Sequence, residues 1–144
     1  MRLAWRPHSG RIRGFTLLEL LVVLAILGFL ATIAVPQVLK YLSGAKTKTA
    51  VIQVQQLGAT LDLYRLDIGR YPTDEQGLEA LLEPPPDAEN WNGPYLKKQD
   101  MLMDPWGNIF DYRYPGRHGE YDLYTLGADE AEGGEGEDQD IVSW

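Results

Sequence analysis

RGFTLLELLVVLAILGFLATIAVP, residues 13–36, is apolar for about two dozen positions and is interrupted by one carboxylate, Glu19. From Phe15 to Val35 run 21 residues with that single charge. At a rise of about 1.5 Å per residue, a helix of this length matches a hydrocarbon core of roughly 30 Å, so the stretch predicts a transmembrane helix. A secretory signal peptide has a shorter apolar region that ends in a small-residue cleavage site. Here the run is longer, and the small residue, Gly14, lies in front of it. That placement predicts a cut between Gly14 and Phe15, which removes a basic leader and leaves the apolar helix as the new N-terminus.

The charges agree with this direction. The chain of 144 residues carries a net charge of -8, unevenly spread. Its first fourteen residues hold Arg2, Arg6, Arg11 and Arg13 and no acid, leaving nine basic against 21 acidic residues, or -12, beyond them. The leader is therefore expected to stay on the cytoplasmic side of a membrane. The acidic remainder repels nucleic acid and attracts metal cations. With no cysteine, the chain has no thiolate metal site, no cysteine nucleophile and no disulfide framework.

Residues Gly14, Phe15, Thr16, Leu17, Leu18 and Glu19 read as G-F-T-L-x-E. This resembles the cleavage motif of type IV pilin-like precursors. The resemblance implies a membrane prepilin peptidase that cuts after Gly14 and methylates the amino group of Phe15. Glu19 then acquires a physical reason. A carboxylate within an apolar helix in lipid costs on the order of 2.5–3.5 kcal/mol, and cleavage creates a partner for it in the α-ammonium of Phe15. When helices stack with an axial stagger, Glu19 of one subunit meets the ammonium of its neighbour and pins the register. The plainer readings are a Glu19 that faces another membrane protein, or one that is protonated and idle.

Pro36 removes one helical hydrogen bond and predicts a kink rather than an end. Beyond it, Ala50, Val54, Leu57, Leu61, Tyr64 and Ile68 recur at steps of four and three, one apolar stripe on a helix. The helix is expected to run from Phe15 to about Ile68, its first half in lipid or a filament core and its second packed on a head. Gly44 and Gly58 weaken it, and two helices joined near Ser43 and Gly44 are the alternative. Thr73 with Gln76 forms a capping box that opens a helix of about two turns, stopped by Pro84–Pro86. Asp104, Pro105, Trp106 and Gly107 suit a type I turn. IFDYRYPGRHGEYDLYTLG reads as a hairpin around residues 115–119, and Ile141–Trp144 as a last edge strand.

These segments extend the resemblance along nearly the whole chain. RYPTDEQGLEAL, GPYL, DPWGN, YRYPGRHGEYDLYTLGAD and GGEGEDQDI follow one another in the order found in the major pseudopilins of type II secretion systems. The resemblance implies an α+β, type IV pilin-like fold: a long N-terminal helix, transmembrane in its first half, packed on a small antiparallel head. It also implies a division into a cleaved leader (1–14), a transmembrane and filament-core helix (15–35) and a periplasmic head (36–144). The implied role is a structural subunit of the secretion pseudopilus, anchored in the inner membrane by a single span. Its implied partners are copies of itself in a helical homopolymer, minor pseudopilins, the inner-membrane assembly platform and the prepilin peptidase. A type IV pilus subunit is the first alternative, although many staple a C-terminal loop with a disulfide. A minor pseudopilin is the next.

Between Asp129 and Asp140 lie seven carboxylates and no base in twelve residues. By composition this is either a solvated charge run or a site of six to eight hard oxygen donors for calcium. The resemblance implies calcium, held by Asp129, Asp138, Asp140 and the carbonyl of Leu126. The family often has glycine or asparagine where this chain has Glu130. A membrane-anchored periplasmic enzyme is the reading from another class, and it lacks its parts. The only histidines are His8 and His118, with no glycine-rich phosphate loop and no G-x-S-x-G elbow.

Overall fold

The computed structural model describes residues 14–144, so the arginine-rich leader expected at 1–14 lies outside the described residues except for Gly14. The chain divides after Val38 into two compact units. A single helix, α1 (Leu17–Ile68), supplies residues 17–38 of the first unit and enters the second. Both Pro36 and Gly44 fall inside it, so the expected long helix is observed and the two-helix alternative is not. Among the described residues of the first unit every side chain is exposed, and α1 is long and apolar enough to cross a membrane. The Thr32 hydroxyl donates to the Phe29 carbonyl at 2.7 Å, which satisfies it without water.

In the second unit the stripe read from the sequence is the buried face of α1: Ala50, Val54, Leu57, Leu61 and Tyr64 are buried, and Ile68 packs at the edge. They meet Leu81, Leu102, Phe110 and Leu123, each 3% exposed or less. Gly58 is buried on the same face, where a Cβ would come within 2.9 Å of the Tyr121 hydroxyl. Helix propensity is given up at this position for close approach of the head.

A three-stranded antiparallel meander forms the sheet, with β1 (Asp111–Arg113), β2 (Asp122–Thr125) and β3 (Ile141–Val142) in that spatial order. Register pairs Tyr112 with Leu123, Arg113 with Asp122 and Thr125 with Ile141. The hairpin and the last edge strand fall where the alternation placed them. The segment after Thr73 does not follow the expectation. The capping box forms, with Thr73 N donating to Gln76 Oε1 at 2.9 Å and Gln76 N to Thr73 Oγ1 at 3.3 Å. Instead of two α-turns, however, the chain makes a turn and then a short 3-10 helix, Leu78–Leu81. Gly77, at φ +58, breaks the helical path between them.

Candidate functional site

At the start of α1 the cleavage-motif residues are open to their surroundings. Nothing lies within 4 Å of a Cβ placed on Gly14, and Phe15 is 86% exposed. Thr16 and Glu19 cap the helix reciprocally. Glu19 Oε2 accepts from Thr16 N at 2.9 Å and from the Thr16 hydroxyl at 3.3 Å, while Glu19 N donates to Thr16 Oγ1 at 3.2 Å. Within one chain the carboxylate thus satisfies an orphan amide of the first turn. The T-x-x-E spacing that signals such a box stands in the sequence at residues 16–19, inside the cleavage motif.

The head is tied to α1 by polar groups at the end of the helix. Tyr71 Oη donates to Asp62 Oδ1 at 2.8 Å and accepts from Arg65 at 3.0 Å, and Arg65 also holds Glu120 at 2.6 Å. Tyr95 Oη donates to Asp67 Oδ2 at 2.7 Å. Tyr121 packs its ring edge-on to Tyr71, and burial, with Asp62, Tyr71 and Glu120 nearby, pushes its hydroxyl up to about 12. The turn read at Asp104–Gly107 is present, closed by Gly107 N on the Asp104 carbonyl at 3.1 Å. Its carboxylate is buried: Oδ1 accepts the amides of Trp106 and Asn108, both at 2.9 Å, and Oδ2 accepts the Thr125 hydroxyl at 2.5 Å. Asp104 therefore couples the turn to β2, a role its place in the turn signature did not disclose.

His118 sits at the hairpin tip, stacked on Trp144 with ring centroids 4.1 Å apart. Its ring nitrogen is 3.3 Å from the buried carboxylate of Asp122, which also accepts the amides of Arg117 and His118. Burial works to raise the Asp122 pKa, but these hydrogen bonds outweigh it and hold the carboxyl below the usual range. The group is structural: it fastens the tip of the hairpin.

The acidic loop is built on backbone contacts. Asp129 Oδ1 accepts from Ala131 N at 3.1 Å, and Asp140 Oδ2 from Gly133 N at 3.0 Å. Ala128 N donates to the Glu137 carbonyl, Trp106 Nε1 to Glu137 Oε2, and Thr47 of α1 reaches the Gly136 carbonyl at 2.9 Å. Glu130 takes φ +55, the left-handed conformation that glycine or asparagine would adopt with less strain. The calcium expectation is overturned here. Among the described residues, no three carboxylate, imidazole or thiol side chains come together as a metal-holding group. Asp129 and Asp140 each spend an oxygen on a backbone amide, and Asp129, Asp138 and Asp140 do not form such a group to which the Leu126 carbonyl could add. One orphaned buried oxygen, Asp140 Oδ1, does not make a shell of six to eight.

Residues 37–144 match the family described as "Type II secretion system (T2SS), protein G", and residues 10–35 the "Prokaryotic N-terminal methylation motif". The chain belongs to the type II secretion system protein G family. It is 48% identical over 135 residues to the type II secretion system core protein G of Pseudomonas aeruginosa, covering 91% of this chain and 94% of that one. The core protein G of Vibrio cholerae is 47% identical over 134 residues, covering 91% and 90%. A crystal structure of the major pseudopilin from the type 2 secretion system of enterohaemorrhagic Escherichia coli superposes with a TM-score of 0.59 at 35% identity. The match covers 69% of this chain and 87% of that one. As a protein G family member, the chain is a structural, non-catalytic subunit of the pseudopilus with the type IV pilin-like α+β fold. It crosses the inner membrane once, with its head in the periplasm.

Proposed function

We propose that this subunit is made as a precursor, is cut between Gly14 and Phe15 by the prepilin peptidase, and is N-methylated on Phe15. Residues 1–14 are then the leader, 15–35 the transmembrane and filament-core helix and 36–144 the periplasmic head. The mature chain assembles into a helical homopolymer through its N-terminal helix, with minor pseudopilins and the inner-membrane platform as further partners. Growth of that polymer drives export across the outer membrane.

The observation that supports this reading most is the Gly14–Glu19 segment at the head of the exposed apolar first half of α1. Exposed leucine, valine and isoleucine along every face suit lipid first and like helices afterwards. In a packed array Glu19 meets the Phe15 ammonium of a neighbour, two charges that are each expensive alone in apolar surroundings. Mass spectrometry of the membrane-bound protein tests the processing step. A mature chain that begins at N-methylated Phe15, and a Gly14→Leu chain that keeps its leader, support the reading. Any other N-terminus contradicts it.

A further inference from the structure

Just beyond the apolar run, α1 has a segment of distinct chemistry. Between Glu19 and Asp62 the chain has no acidic residue, and its only charges are Lys40, Lys46 and Lys48. From Asp62 onward the balance reverses to twenty acidic against six basic residues. At about 100° per residue, Lys40, Gly44, Lys48 and Tyr41 share a face roughly 100° wide, while Lys46 lies on the partly covered side. Tyr41 is 83% exposed, Leu39 and Leu42 are exposed beside it, and none of the three lysines is in an ion pair among the described residues.

An exposed phenol between one and two turns past the apolar run, with one ammonium beside it at Lys40 and another two turns on at Lys48, suits the phosphate layer of a bilayer. Tyrosine presents an apolar body and a polar tip, and lysine lays its stem along apolar surface while lifting its charge to the headgroups. We propose that the Lys40–Tyr41–Lys48 face binds the phosphates of anionic phospholipids in the outer leaflet of the inner membrane, and so holds the unassembled head at the bilayer surface. The proposal rests on the inner-membrane topology and is independent of the cleavage step. Acidic loops of a second copy also offer charge to these lysines. They offer no apolar layer for Tyr41, Leu39 and Leu42, which favours lipid.

The test uses the full chain at one copy per nanodisc, in phosphatidylcholine alone or mixed with phosphatidylglycerol, with lysine acetylation followed residue by residue by mass spectrometry. Lys40 and Lys48 are expected to react about fivefold more slowly in the anionic discs, the factor that corresponds to one lysine near such a surface. Lys97 and Lys98, exposed elsewhere on the head, should react equally in both, and high salt should remove the difference. Equal reactivity of Lys40 and Lys48 in the two lipids overturns the proposal. So does protection that requires two copies per disc, which assigns the lysines to another subunit. Equal protection by inorganic phosphate in phosphatidylcholine discs overturns it as well. Each result leaves the secretion reading to be judged separately by the mature N-terminal mass.

Discussion

Glu19 accepts the backbone amide of Thr16 at 2.9 Å while its own amide donates to the Thr16 hydroxyl at 3.2 Å, so the charge in the apolar run is also the cap of its helix. Two roles thus meet in one carboxylate, and they separate by substitution. Glu19→Gln keeps a side chain able to cap, whereas Glu19→Ala removes cap and charge together. Both variants should insert in the membrane at least as well as the parent, since the carboxylate's desolvation cost disappears. If pairing with a neighbour's ammonium sets the register, both lose assembly, scored by crosslinking between subunits. Assembly retained by the glutamine variant would reduce Glu19 to the reciprocal partner of the Thr16 cap.

Gly58 admits the Tyr121 hydroxyl against α1, so it should tolerate little volume. Gly58→Leu is expected to displace Tyr121 and destabilise the head by about 1–3 kcal/mol in denaturant melts of the detergent-solubilised chain. Gly58→Ala gains up to about 1 kcal/mol of helix propensity against a smaller displacement, and should fall near zero.

In the acidic loop two substitutions should act in opposite senses. Glu130→Gly relieves a left-handed residue and should stabilise by about 0.5–1 kcal/mol once the added freedom of the unfolded chain is counted. Gly134→Ala should destabilise: its φ is +88, and a Cβ would collide with the backbone of Asp138. Thermal melting of the two variants side by side checks both signs.

Asp122 predicts a pH dependence. Its carboxyl is held below the usual range, so the unfolded chain takes up a proton first, near pH 4. The stability it contributes is full above that value and is lost as pH falls through the lower folded pKa. Asp122→Asn should therefore lower the melting temperature at neutral pH and flatten the acid limb of the stability profile. An unchanged acid limb would remove Asp122 from this account.

Much of the architecture was readable because it rests on periodicity. The apolar run, the four-three stripe from Ala50 to Ile68, the hairpin around residues 115–119 and the Asp104 turn each follow from local pattern and appear where expected. What escaped reading depends on distant partners or on backbone angles. Gly77 at φ +58 turned a two-turn helix into a 3-10 turn. The carboxylates of Asp129 and Asp140 were read as converging on an ion, yet they serve the amides of Ala131 and Gly133, and Thr47 holds the loop from 89 positions away. Carboxylate density alone does not say which oxygens the backbone will claim.

The central claim is that this chain is the repeating subunit of a filament. Electron microscopy of cells that produce it together with its type II secretion assembly platform tests that claim most directly. The account predicts thin filaments that label with antibody to the head and disappear in the Gly14→Leu strain. Protein that is cut, methylated and abundant in the inner membrane, yet forms no filament with the platform present, would contradict it.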